Sequence, residues 1–342
     1  MMDIARDLDV SVVTVSKVLR NQGRISDATR KRVLQRAKQL NYQMNWVARS
    51  LVTRRTYTIG LLLPEFGHPF FAEIARAVAQ TVRNHGYHVI VSCFEEDPDL
   101  EVTEADSLLA RRVDGLIIAS SQSPQQLALF KRVQQQKVPF ILIDRPITGL
   151  RACFVGVDNR ALGKLATEHL IAQGCSQIAH LRGPEVGIAI ERMEGYRRAL
   201  AKHGLAPNPR CIVDGGHGEE TGYNGMQQLL QVRPFIDGVF CYNDPVAIGA
   251  MRAIMEAGLK MPDDISVIGA GNVHYSDVLT VPLTTVDQGT CRMGVLAAEL
   301  LLARIGSKRP IRPKTILIPP RLLERESTRR RQIGRASCRE RV

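Results

Sequence analysis

From residue 58 onward the chain alternates short apolar runs with amphipathic stretches. The runs fall at 59–63, 87–94, 114–119, 138–143, 153–157, 177–181, 237–242, 265–269 and 284–287. Each has the length of a strand buried on both faces, and several are rich in Val and Ile. Between most of them lie helical patterns. Residues 70–85, for example, place Phe70, Phe71, Ile74, Ala77, Val78 and Val82 on one face before Gly86. Repeated strand–helix alternation predicts parallel sheets covered by helices on both faces, with ligands at the carboxyl ends of the strands. Nine runs over 58–320 are more than one ordinary sheet holds, so two similar sheets facing a cleft are expected.

Residues 1–57 follow another pattern, with three helical periodicities and no strand. The first, 2–8, carries Ile4, Ala5 and Leu8 on one face. Ser11 can cap a second helix with Val15, Val18 and Leu19 inward. Only Asp9-Val10-Ser11 separates the two, a spacing typical of helix-turn-helix units. Ser26 can cap a third helix, with Val33, Ala37 and Leu40 inward and Arg30, Lys31, Arg32, Arg36 and Lys38 outward. The second helix then displays Val12, Val13, Thr14, Lys17 and Asn21 toward a groove. Lys17 can donate to guanine O6/N7 and the valines can touch thymine methyls. Thr14, Ser16 and Arg20 suit phosphate or base-edge contacts.

Charge supports this division. The 342 residues carry a net charge of +12. Residues 1–57 hold 12 Lys/Arg against 4 Asp/Glu and residues 321–342 hold 8 against 3, leaving 58–320 close to neutral. A neutral body with a cationic head is the footprint of a polyanion-binding module attached to something else. No apolar run is long enough to span a membrane, and a signal-peptide pattern is missing at Met1. Seven cysteines without CxxC spacing suit a reducing compartment, so a cytoplasmic location is expected. Enzyme motifs fail: 269–274 reads GxGxxH, Gly163-Lys164 lacks P-loop spacing, and neither GxSxG nor HExxH occurs. The eight histidines show no ligand spacing on a helix face, so no metal site or other cofactor is expected.

An ordered set of segments resembles the lactose-repressor (LacI/GalR) family. It includes Asp3-Ile4-Ala5, Val10-Ser11-Val12-Val13-Thr14-Val15-Ser16, Leu40-Asn41-Tyr42, Arg112-Val113-Asp114-Gly115, Asp158-Asn159, Asn243-Asp244 and Leu283-Thr284-Thr285. The resemblance runs from Met2 to about Ser327. It implies a small all-α helix-turn-helix head joined to an α/β, periplasmic-binding-protein-like, two-lobed effector domain with two parallel doubly wound sheets. On that basis residues 1–44 are the head and 45–57 the hinge helix and linker. Residues 58–158 with 289–317 form the N-terminal lobe, and 159–288 with 318–331 the C-terminal lobe. Crossovers are expected near 157–160, 287–289 and 318–321. In the hinge, Asn45, Ala48 and Leu51 match family positions at the operator centre, Leu51 being the minor-groove wedge. Such a wedge costs unstacking energy and gains a kink that improves the remaining contacts.

For the effector the resemblance points to Phe70, Phe71, Asp144, Arg192, His217, Asn243, Asp244 and Gln288. Three positions depart from the family pattern. Met1-Met2 stands inside the first helix, suggesting a start further upstream, and Met44 replaces a common proline. Gly271 occupies a position where relatives often carry aspartate, which predicts a less acidic cleft. The effector is accordingly expected to be a sugar, with a sugar acid or phosphosugar favoured over a neutral hexose. Residues 332–342 look like a translated sequencing adapter and are set aside as an artefact. The function implied is a homodimeric, sequence-specific transcriptional regulator, in most cases a repressor, acting on a pseudo-palindromic double-stranded DNA operator. The alternative is a solute-binding or sensor protein without DNA-regulatory activity.

Overall fold

The computed structural model describes residues 1–19, 23–42, 50, 55–185, 187–232, 235–307 and 312–328. Two units separate after Thr56. The first begins with α1 (Met2–Asp7), α2 (Val12–Leu19) and α3 (Asp27–Gln39). The Ser11 hydroxyl accepts the Thr14 N–H at 3.0 Å, and that of Ser26 accepts the Thr29 N–H at 3.3 Å. Both caps satisfy donors that a helix start leaves free. Asp9 takes φ +51°, which reverses the chain between α1 and α2 within a few residues. Ile4, Val15, Val18 and Val33 are essentially removed from solvent and join the three helices. Each such burial is worth roughly 1.5–3 kcal/mol.

One expected core residue differs. Leu40 is 41% exposed. It is the C-cap of α3, one position past the helical periodicity, so the turn there carries it off the inward face. Arg36, expected outward, instead pairs with Asp7 of α1 at 2.6 Å.

The second unit holds twelve described strands in two six-stranded sheets. The first orders β2 (His88–Cys93), β1 (Thr58–Leu63), β3 (Gly115–Ile118), β4 (Phe140–Ile143), β5 (Cys153–Val157) and β11 (Thr315–Ile318), all parallel. The second orders β7 (Ile212–Asp214), β6 (Ile178–Arg182), β8 (Gly238–Cys241), β9 (Ser266–Ala270), β10 (Thr284–Asp287) and β12 (Arg321–Leu323). Here only the β10–β12 pairing is antiparallel. Strands β3, β4, β5, β8 and β9 are buried at every position, which their unbroken apolar runs require.

The chain passes between the sheets three times. After β5 it enters α7 (Asn159–Ala172), after β10 it returns through α11 (Thr290–Gly306), and after β11 it crosses to β12. Helix α11 packs on α4 (Pro69–Arg83) through Met293, Ala297 and Leu301, in the core formed by β1, β3 and β4. Connection direction reverses between β1 and β3 and between β6 and β8. Loops diverge at such switch points and leave a crevice beyond the strand ends.

Candidate functional site

The crevice is a cavity of about 620 Å³ lined by residues of both lobes. Its apolar wall is the first turn of α4. His68 caps that helix, its Nδ1 lying 3.2 Å from the Phe70 N–H. Phe70 and Phe71 follow, with ring centroids 5.2 Å apart and planes inclined at 77°. Burial and the nearby cations Arg192 and Arg145 hold the His68 pKa down at about 4, so it is neutral across the physiological range.

The charged wall starts at the end of β4. Asp144 takes φ +60°, a left-handed conformation that Asp tolerates better than most residues. Neighbouring side chains of a regular strand point to opposite faces. The turn at Asp144 breaks that rule, and both Asp144 and Arg145 line the cavity. Arg145 binds Glu96 through two bonds of 2.6 and 2.5 Å and stands 3.6 Å from Asp144. Burial pushes the Asp144 pKa up, and the Arg145 and Arg192 guanidiniums oppose that rise.

Arg192, on α8 (Gly187–Lys202), is 2% exposed. Its Nε donates to Asn159 Oδ1 at 2.9 Å, Nη1 to the Tyr242 carbonyl at 2.6 Å and Nη2 to Gln288 Oε1 at 2.7 Å. Asn159 opens α7 just beyond one crossover and Gln288 lies within another. A single side chain that lines the cavity therefore also ties two of the three crossovers together. Asn243 caps α10 (Asp244–Glu256) through the Val246 N–H at 2.9 Å. Its amide nitrogen donates to the His217 carbonyl at 2.9 Å and lies 3.2 Å from His68 Nε2, across the cavity.

Of the residues expected around an effector, Phe70, Phe71, Asp144, Arg192, His217, Asn243 and Gln288 line this cavity. Asp244 does not. As the first residue of α10 it turns toward the ends of β9 and β10, accepting the Thr285 hydroxyl at 2.5 Å and the Val273 N–H at 2.9 Å. Glu65, Glu96, Asp144 and Glu185 contribute carboxylates to the lining and Arg145 and Arg192 contribute cations, while Gly271 lies outside it. Gly271 has φ +145°, and a Cβ there would sit 3.3 Å from Asp244 Oδ2. His68, Arg145, Glu96 and the loop 120–123 also line the cavity, though no sequence motif marks them.

In the head, Val12 and Val13 are 42% and 60% exposed on α2, while Val15 and Val18 face inward. Thr14 and Ser16 are half-buried and Lys17 is exposed. Arg20, Asn21, Asn45, Ala48 and Leu51 lie outside the described residues, as do Met44 and the segment 332–342.

Residues 56–332 match the family described as "Periplasmic binding proteins and sugar binding domain of LacI family", and residues 1–45 match "Bacterial regulatory proteins, lacI family". The chain belongs to the LacI family. The ribose operon repressor of Halalkalibacterium halodurans is 36% identical over 328 residues, covering 96% of each protein. The transcriptional repressor PurR of Histophilus somni is 35% identical, covering 96% of this chain and 98% of the relative. Among solved structures, the Lac repressor dimer bound to operator and an anti-inducer superposes with a TM-score of 0.83 at 29% identity, covering 95% of this chain and 98% of that one. LacI-family proteins are transcriptional regulators rather than enzymes. This member is a DNA-binding repressor whose operator affinity is controlled by a small-molecule effector. No described helix is long and apolar enough to cross a membrane.

Proposed function

We propose that the effector is a small neutral sugar, with D-ribose the first to test. It would lie between Phe70, Phe71, Asp144, Arg145, Arg192, His217, Asn243 and Gln288. The observation that carries this reading is the pairing of charges in the inner wall. Arg145 is paired with both Glu96 and Asp144, and Arg192 is engaged by neutral acceptors, Asn159 Oδ1, the Tyr242 carbonyl and Gln288 Oε1, so neither cation is set aside for an anion. An anionic ligand would have to approach Asp144 and Glu96, whereas hydroxyl groups can donate to Asp144 and accept from Arg192. Phe70 and Phe71 supply the apolar face on which the C–H side of a sugar ring packs. The name of the Halalkalibacterium relative is what singles out ribose.

The mechanism follows from Arg192. A hydroxyl that accepts from this guanidinium alters its bonds to Asn159 and Gln288, and with them the two crossovers. Effector binding thereby favours one lobe angle over another, and only that differential affinity can shift the population able to bind DNA. In this reading residues 1–44 contact the operator and 45–57 form the hinge. The lobes are 58–158 with 289–317 and 159–288 with 318–331. Val12, Val13, Thr14, Ser16, Lys17, Arg20 and Asn21 face the major groove, and Asn45, Ala48 and Leu51 reach the operator centre. The protein acts in the cytoplasm as a homodimer on a pseudo-palindromic site, one head per half-site.

Calorimetric titration with D-ribose, D-ribose 5-phosphate, ribonate and D-glucose tests the effector. Binding of ribose without its phosphate or acid is expected; tight binding of ribonate or the phosphate alone would overturn the reading.

A further inference from the structure

Glu101, on α5 (Pro98–Ala110), is an acid cut off from solvent. Its carboxylate accepts the Ser120 hydroxyl at 2.6 Å and the Ser121 N–H at 2.8 Å. A buried carboxylate needs such donors, because burial penalises its charged form. That burial raises its pKa, and the bonds from Ser120 and Ser121 pull it back. The same loop is tied down twice more. Ser120 Oγ accepts the Gln122 N–H at 3.0 Å, and the Gln122 side chain donates to the Pro98 carbonyl at 2.6 Å.

Residues 120–123 read Ser-Ser-Gln-Ser and offer no apolar side chain to pin them by packing. They nevertheless line the effector cavity. Ser121 Oγ donates to Glu96 Oε2 at 2.6 Å and accepts from Arg145 Nη1 at 3.0 Å. Arg145 and its partner Glu96 are thus both braced by a serine whose own backbone is held by Glu101.

We infer that Glu101 is a positioning residue for the effector cavity. It touches no ligand; by fixing Ser120 and Ser121 it sets where Arg145 meets a ligand hydroxyl. An amide cannot replace it. The Glu101→Gln variant keeps one acceptor oxygen, and its NH₂ must then face either the Ser121 N–H or the Ser120 hydroxyl.

The test uses the full chain and D-ribose as the probe, and so rests on the sugar reading above. A double-mutant cycle compares Glu101→Gln, Arg145→Lys and the pair. Glu101→Gln is expected to raise the ribose Kd about tenfold, the scale of one lost charged hydrogen bond. The double variant should bind little worse than Arg145→Lys alone, since the first residue acts through the second. Additive effects, or a wild-type Kd for Glu101→Gln, would overturn the inference. Hydrogen exchange without any ligand supplies an independent arm. Peptides spanning 119–124 should exchange faster in Glu101→Gln while those spanning 238–270 do not change, and unaltered exchange at 119–124 would also overturn it. If the wild-type protein fails to bind ribose, the sugar reading fails and the exchange arm still decides this one. Should Glu101→Gln not fold, Ser120→Ala removes one of the two bonds and takes its place in both arms.

Discussion

Arg145, which no sequence motif marks, lines the cavity and Asp244, expected there, does not, for the same kind of reason: a local turn sets where a side chain goes. A strand ending in Asp144 should send Arg145 to the far side, yet the left-handed φ of Asp144 brings both residues into the cavity. Asn243 and Asp244 look like a ligand-binding pair, but the start of α10 directs Asn243 into the cavity and Asp244 against the ends of β9 and β10. Asp244 makes a testable case because burial raises its pKa to about 6 despite the bonds from Thr285 and Val273. The unfolded chain releases that proton near pH 4, whereas the folded one holds it to about 6. Its contribution to stability is therefore complete below pH 4 and lost as pH rises through 6, at most about 3 kcal/mol in all. Asp244→Asn should remove this slope. Urea unfolding at pH 4, 5, 6 and 7 should show the variant gaining on wild type as pH rises, and parallel curves would contradict the assignment. At the DNA end, Lys17→Ala should weaken operator binding by about 1–3 kcal/mol if Lys17 reads a base, with relaxed preference at one position. A uniform loss with a salt slope shallower by about one unit would instead make Lys17 a phosphate contact.

Elements were more legible than residues. The nine apolar runs coincide with strands because strands buried on both faces leave an unbroken signature. Edge strands β7, β11 and β12 are only three or four residues long and only partly buried, so they carry too little apolar pattern to read. The two serine caps were readable because capping needs a particular side chain at a particular place. The close approach of α7 and α8 was not, since it depends on one small residue meeting a distant backbone. A Cβ on Gly163 would lie 2.1 Å from the carbonyl oxygen of Arg192. Replacing a glycine inside a helix by alanine ordinarily stabilises by about 0.5–1 kcal/mol. Gly163→Ala should do the opposite, by roughly 1–3 kcal/mol, because the helices must separate. It should also weaken effector binding, since Arg192 moves with its helix. Thermal melting and ribose titration check both halves, and a raised melting temperature would refute the close contact.

At the scale of the molecule the net charge of +12 resolves into a cationic head of residues 1–57, a cationic segment of residues 321–342 and a nearly neutral body between them. The separation of head from body after Thr56 gives a direct prediction. A fragment beginning at Tyr57 should retain full ribose affinity and lose operator affinity by at least about a thousandfold, the usual margin between specific and non-specific binding. Gel shift and calorimetry on the fragment measure the two properties side by side. Fold class was legible because so many periodic segments agree, whereas the cavity's full lining was not, because it joins residues as far apart in sequence as Glu65 and Gln288.

The three crossings between the sheets also govern the order in which a ribosome can finish this protein. The first sheet has its five leading strands by Val157, but its outer strand β11 ends at Ile318 and helix α11, which covers its core, ends at Gly306. Synthesis of the intervening stretch takes roughly 8–30 s at about 5–20 residues per second. Throughout that interval the apolar surface destined for Met293, Ala297 and Leu301 lies bare. The second sheet meanwhile can assemble all but its last strand, β12. The lobe made first is thus completed only after most of its partner, and nascent-chain chaperones should engage the α4 surface for longer than any other part of the molecule.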